Sequence, residues 1–228
     1  MPYQCVATSV AGFIQQLAVN YVARGYYFYV TGIIPDGKDP TKTDAKIIGQ
    51  YGIDISKWAR ARRRKGGLAN VQYLRNDRFY VIIATHGEHP FFAAERNQLR
   101  NIRKQPLRFS DYAIGVGRSR LDRSLHVSVR IQRGVFRELL ARFKHIAVQR
   151  TVEELCRELG ALPFEPFAPV RDQFRIILRA VNRLRKTAGL ELIPRNAIRQ
   201  YRRPLCVFGA DAVKAGISLP NAAQNAAK

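Results

Sequence analysis

A chain of 228 residues that carries 39 Lys and Arg against 17 Asp and Glu, a formal charge of +22, repels itself unless polyanions share its surface. Hydrophobic residues make up 46 %, which supports a sizeable core and excludes global disorder, and no apolar run is long enough for a transmembrane helix. Cys5, Cys156 and Cys206 are isolated and odd in number, which argues against a disulfide framework and a Cys-based zinc site and fits a reducing cytoplasm.

The first periodic segment predicts a helix over 9–24. Val10, Phe13, Ile14, Leu17, Ala18 and Tyr21 repeat at the spacing of one buried face, and Gly25 ends it. No Lys or Arg precedes Arg24, so the start does not read as a secretory signal. Tyr26-Tyr27-Phe28-Tyr29-Val30-Thr31 predicts a strand, with one face core and the other a surface on which unpaired bases could stack. Asp39-Pro40 opens a helix that Gly52 ends, and Asp54 caps a second from Ile55 to Lys65. A hairpin follows, 71–74 with 79–83, turning at Asn76-Asp77. A helix over 90–103, strands over 107–116 and 125–131, and helices over 135–147, 151–160, 169–188 and 194–200 complete the order. The reading is α+β: a ferredoxin-like split βαβ sheet with an N-terminal helix and a C-terminal helical extension. The boundaries expected are 1–133 for an α+β nucleic-acid-binding domain, 134–208 for the helical extension and 209–228 for a flexible tail. Such a sheet is expected to leave one face open as a binding platform.

Charge is uneven along the chain. Residues 1–56 hold 4 basic and 4 acidic side chains, residues 57–150 hold 22 and 6, and residues 151–228 hold 13 and 7. The densest run is Lys57-Trp58-Ala59-Arg60-Ala61-Arg62-Arg63-Arg64-Lys65. Like charges at helical spacing destabilise a helix, so Lys57, Arg60, Arg62, Arg63, Arg64 and Lys65 call for an anion, and phosphate is the expected one. Trp58 is expected in the core, with base stacking as the alternative. Arg171, Arg175, Arg179 and Arg183 form a second array, every four residues along one helix. It either binds phosphate or pairs with Glu153, Glu154 and Glu158 on a neighbouring helix.

Thr85-His86-Gly87-Glu88-His89-Pro90 follows an apolar strand, and His86, Glu88 and His89 are candidate ligands for Mg²⁺ or Mn²⁺, with His126 as a fourth. Asp111 and Asp122 are also available as ligands. No Gly-rich phosphate loop indicates a nucleotide cofactor. The strand-helix-hairpin order, with this His cluster ending the hairpin, resembles the HUH single-strand DNA endonucleases, small tyrosine transposases and rolling-circle replication initiators, over residues 26–131. In that family two His flank one hydrophobic residue and bind a divalent metal, and a Tyr attacks the phosphodiester. The resemblance implies a metal-dependent DNA-processing enzyme of a mobile element or replicon, with Tyr112 or Tyr201 as nucleophile. His86 and His89 here have two residues between them, not one, and no Tyr lies in the helices over 90–103 or 135–188. The alternative is a non-catalytic DNA- or RNA-binding protein or a ribonucleoprotein component, with no membrane partner.

Overall fold

Ser9 turns the chain into its first helix, its Oγ accepting the Gly12 N–H at 3.0 Å in place of a missing intrahelical partner. The computed structural model, which describes residues 3–118, 124–201 and 205–209, splits this helix into an α-helical part α1 (Val10–Gln15), a π-helical part (Gln16–Tyr21) and a 3₁₀ turn (Val22–Arg24). Gly25 then takes φ +92°, a conformation glycine adopts without a Cβ penalty, and β1 (Tyr26–Ile33) begins. α2 (Pro40–Gln50) is capped by Asp39, and α3 (Lys57–Lys65) by Ser56. The hairpin is β2 (Val71–Asn76) and β3 (Phe79–Thr85), and its two-residue turn is Asp77-Arg78, with Asp77 at φ 51°. That places the turn one residue later than expected.

The helix expected over 90–103 stops early. α4 spans only Pro90–Ala94, because Arg96, Asn97 and Gln98 are polar and exposed and offer no apolar face. Arg100–Asn101 instead form a short strand, β4, against Phe28 and Tyr29. The strand expected over 107–116 is two strands, β5 (Leu107–Phe109) and β6 (Tyr112–Arg118), broken where Ser110 takes φ 48°. β7 is Leu125–Ile131. Then come α5 (Arg133–Ile146), α6 (Val152–Gly160), α7 (Ala168–Thr187) and, where a helix over 194–200 was expected, a single 3₁₀ turn Arg195–Ala197. Asp122 and the expected tail from residue 210 lie outside the described residues.

The named strands make two antiparallel sheets and the architecture is α+β. The first sheet runs β2-β3-β1-β4 and the second β5-β6-β7. Both faces of the first sheet are covered, contrary to the open platform expected. On one face Val30, Val71, Tyr73, Ile82 and Ala84 meet Ile47 and Tyr51 of α2 and Phe91 of α4. On the other, Tyr29, Leu74, Val81 and Ile83 join Phe13, Ile14 and Leu17, and this core continues through the second sheet into α5, α6 and α7. The aromatic strand is therefore spent on packing: Tyr26 and Tyr29 are buried, and Tyr27 and Phe28 are half-buried. Gly32 belongs to this packing, since a Cβ there would lie 2.4 Å from the Tyr80 ring.

The edge of β2 is shielded as well. Cys5 and Ala7 pair in parallel with Arg75 through backbone hydrogen bonds of 2.7 Å. Beneath this edge Asp44 of α2 takes both Nε and Nη2 of Arg75, each at 2.8 Å, and the Tyr73 hydroxyl at 2.6 Å. All three side chains are buried, so the carboxylate depends on these donors. Arg185, also buried, has a matching role in the helical part, donating to the carbonyls of Ala147 and Arg150 at 2.8 Å near the end of α5. Gln173 of α7 bonds both backbone groups of Ile131, fastening α7 to β7. Cys5 is buried, Cys156 half-buried and Cys206 exposed.

Removing one partner of a buried pair leaves an uncompensated charge. Asp44→Ala should therefore cost about 3–5 kcal/mol in urea-unfolding free energy, far more than Asp36→Ala, whose partner Arg78 is reached on the surface. Equal midpoints for the two variants would contradict this role for Asp44.

Candidate nucleic-acid interface

α3 has almost no apolar stripe, and none of its residues is buried. It is held at its ends and from the side. Ser56 Oγ accepts the Ala59 N–H at 3.1 Å, and Arg60 reaches back to the Ile55 carbonyl at 2.6 Å. The Arg60 carbonyl accepts Asn70 Nδ2 at 3.0 Å, and Leu68 N–H closes on the Arg63 carbonyl at 2.9 Å. Tethering by backbone and caps leaves the side chains outward. Lys57, Arg62, Arg64 and Lys65 are exposed and Arg60 and Arg63 half-buried. Among the described residues none of these six cations forms a salt bridge.

Trp58 is 76 % exposed, which overturns its expected place in the core. The helix touches the body through the faces carrying Arg60 and Arg63, and position 58 falls on neither. A large aromatic among solvated cations is the pairing that single-strand binders use: phosphate neutralised by the charges, a base stacked on the ring.

Beside α3 lies a cavity of about 420 Å³. Its cationic lining is Arg24, Lys57, Arg60 and Arg64, and its polar lining includes Tyr3, Gln16, Asn20, Tyr21, Tyr26, Asn70 and Gln72, with no acidic residue among them. The π-helical turn supplies Gln16, Asn20 and Tyr21, a placement in keeping with the frequent use of such turns at functional sites. Along it, Asn20 Nδ2 donates to Gln16 Oε1 at 2.6 Å and Arg24 to Asn20 Oδ1 at 3.4 Å. The Tyr3 hydroxyl takes the place of a neighbouring strand, accepting the Tyr73 N–H at 2.9 Å and donating to its carbonyl at 2.7 Å. Burial raises the Tyr26 hydroxyl above the ordinary tyrosine range, and Gln72, Arg60, Arg64 and Arg24 pull it only partly back. Burial likewise raises Tyr21 and, well above the usual value, Tyr3, so all three present neutral hydroxyls at physiological pH. Arg24, Asn20 and Asn70 were not singled out from the sequence. Arg24 sits in a charge-balanced first quarter, and nothing in a linear reading brings it to α3.

A second basic recess, about 540 Å³, is lined by Arg100, Arg108 and Arg133 with Gln105, Gln132 and the start of α5, again without an acid. The 171–183 array is more committed to the protein itself. Arg175 pairs with Asp172 at 2.6 Å, Arg171 donates to the Pro166 carbonyl at 2.8 Å, and Arg179 to the Arg175 carbonyl at 3.2 Å, leaving Arg183 exposed. The alternative pairing with α6 is not formed among the described residues: Glu158 holds Arg142 at 2.6 Å and Glu154 holds Arg150 at 3.2 Å.

The His-rich loop is fastened to the end of α3. Ala69 N–H donates to the Glu88 carbonyl at 3.0 Å and Glu88 N–H to the Gly67 carbonyl at 3.2 Å. Gly87 sits at φ +131°, where a Cβ would lie 2.5 Å from the Gly67 oxygen, so this contact requires glycine. His89 Nδ1 accepts the Phe91 N–H at 3.1 Å as the cap of α4, while His86 is exposed beside Phe28. Burial, then Arg63, lowers the His89 pKa, in keeping with a neutral acceptor ring. Among the described residues no three His, Cys, Asp or Glu side chains are grouped as a metal site, His86, Glu88, His89, His126 and Asp111 included. Tyr112 lies in the second sheet, buried, its hydroxyl accepting the Glu165 N–H at 2.8 Å. Tyr201 is 85 % exposed near the end of the described chain. Among the described residues no helix is long and apolar enough to cross a membrane. Comparison of the chain with protein-family models, curated proteins and solved structures finds no match.

The environment of Tyr112 has a measurable consequence. Burial pushes its hydroxyl from 10.0 up to about 12. A group raised in the folded state adds stability that is complete below its unfolded pKa and is lost as pH rises through the folded one. Alkaline titration of Tyr112→Phe should therefore show a smaller loss of stability between about pH 10 and 12 than the parent chain. Superimposable profiles would show that the hydroxyl is not held as described.

Proposed function

We propose that this chain binds single-stranded nucleic acid along α3 and the cavity beside it. The observation that carries the reading is a basic helix whose cations have no acidic partner among the described residues and which exposes the protein's single tryptophan. Unneutralised cations at this density favour a polyanion, because each phosphate they meet releases a condensed counterion. The exposed Trp58 favours an unpaired base over a duplex, since only an unpaired base offers its face. The second recess, with Arg100, Arg108 and Arg133, supplies further phosphate contacts for a strand crossing the surface.

The first sheet is best understood as a ferredoxin-like split βαβ. Its order β2-β3-β1-β4, antiparallel throughout, and the run β1-α2-α3-β2-β3-α4-β4 support that reading. Binding rather than strand cleavage is the function favoured. His89 is engaged as a helix cap, and neither Tyr112, buried in the second sheet, nor Tyr201 is joined to His86 by any contact found among the described residues.

If six α3 cations meet phosphate, log affinity for a single strand should fall against log salt with a slope of about −4, and replacing Arg62, Arg63 and Arg64 by Ala should flatten it by about 2. Fluorescence anisotropy across a salt series measures both, and a flat response in the parent chain would sink the electrostatic reading. Trp58→Ala should weaken binding by about 1–3 kcal/mol at fixed salt without changing the slope. Arg175→Ala, whose side chain is already paired with Asp172, should leave affinity almost unchanged. A larger loss from Arg175→Ala than from the triple variant would move the interface to α7.

A further inference from the structure

The cavity beside α3 holds more than phosphate neutralisation requires. Four cations line it without a single acid, so an anion of more than one charge satisfies it better than a single backbone phosphodiester. A terminal phosphate carries about −1.5 to −2 at neutral pH, where an internal phosphodiester carries one charge. The volume, about 420 Å³, falls within the range of roughly 300–1,000 Å³ seen for small-ligand sites.

Asn70 adds a second, independent requirement. It is 1 % exposed and lines the cavity, and its Nδ2 donates to the Arg60 carbonyl at 3.0 Å. A carbonyl can only accept, so the nitrogen of the amide is assigned and the remaining atom is Oδ1. That oxygen is buried and has no hydrogen-bond partner among the described residues. A buried acceptor left unpaired costs about 1–3 kcal/mol. Phosphate oxygens cannot satisfy it, because at neutral pH they are acceptors too. A sugar hydroxyl or an exocyclic amino group can.

Cations for a dianion and an acceptor for a donor describe one ligand class. We infer that this cavity binds a nucleotide bearing a terminal phosphate, with Arg24, Lys57, Arg60 and Arg64 on the phosphate and Asn70 Oδ1 on a hydroxyl or amino group of the nucleoside. The ligand is the phosphorylated end of a strand or a free nucleoside monophosphate. The inference rests on the nucleic-acid reading above, since the strand that leaves the cavity would run onto α3 past Trp58. The neutral hydroxyls of Tyr21 and Tyr26 supply further donors for the phosphate.

The test compares one oligonucleotide in three forms, 5′-phosphorylated, 3′-phosphorylated and hydroxyl-ended, with the matching nucleoside monophosphate as a free competitor. Binding is read by anisotropy with the parent chain and with Arg24→Ala. Arg24 is exposed, and its side chain donates only one long bond to Asn20, so the variant should fold. The expected result is a preference of about tenfold or more for one phosphorylated end over hydroxyl ends, the worth of charge-assisted bonds to the extra charge, abolished in Arg24→Ala. Competition by the free monophosphate at comparable affinity assigns the site to the free nucleotide instead and equally supports the inference. Asn70→Asp, which sets a carboxylate in the same cavity as the phosphate, should abolish the same preference. Salt-sensitive binding with no preference among the three ends, and no competition by the monophosphate, would overturn the inference while leaving the nucleic-acid reading standing. Binding of the monophosphate alone, with no affinity for any strand, would overturn that reading and keep the cavity assignment.

Discussion

A sheet buried on both faces has no face left to offer a ligand, and the rest of this molecule follows from that constraint. Successive residues of β1, β2 and β3 point to opposite sides, and here both sides are apolar: Tyr29, Leu74 and Ile83 one way, Val30, Tyr73 and Ile82 the other. Helices α2 and α4 close one face; α1 and the second sheet close the other. The β2 edge is taken by the N-terminal segment, and the opposite edge by the short β4. Polar chemistry is therefore displaced to where the packing ends, at α3 and at the recess between it and the π-helical turn.

The same constraint explains why α3 can be so basic. A helix packed into a core needs an apolar stripe, and Lys57–Lys65 has none to give. It is held by Ser56, by the Arg60 guanidinium on the Ile55 carbonyl, by the Arg60 carbonyl and by the loop carrying Gly87, contacts made mainly through backbone groups that leave Lys57, Arg62, Arg64 and Lys65 exposed. The His-rich loop acquires a structural meaning in this account: Glu88 extends the backbone pairing beside Gly67 and His89 caps α4. Its backbone supports the end of the basic helix, and its His89 side chain starts α4.

Much of the α+β order was legible because periodicity reports burial. Val10 to Tyr21, the β2–β3 hairpin and the long α7 all carry strong apolar patterns, and they lie where the pattern puts them. Other elements depended on contacts that no local window contains. Arg100–Asn101 are extended because β1 needed a partner on that edge, and Ser110 breaks a strand by its own φ. Of the site, the α3 charges were visible as a run, but the cavity was not. It is assembled from Tyr3, Asn20, Arg24, Arg60 and Asn70, residues brought together by the fold from four separate segments. Trp58 was misplaced for a related reason: an isolated aromatic carries no period, and its burial is decided by the face of α3 that Arg60 and Asn70 fasten to the body.

Trp58 is the one tryptophan in the chain, so its emission reports on this helix alone. Titrating a single-stranded oligonucleotide into the protein at low salt should quench that emission saturably, in step with binding measured on the oligonucleotide itself, because an unpaired base stacks on the exposed ring. Oligonucleotide binding that saturates with Trp58 emission unchanged would place the strand elsewhere on the surface and contradict the account.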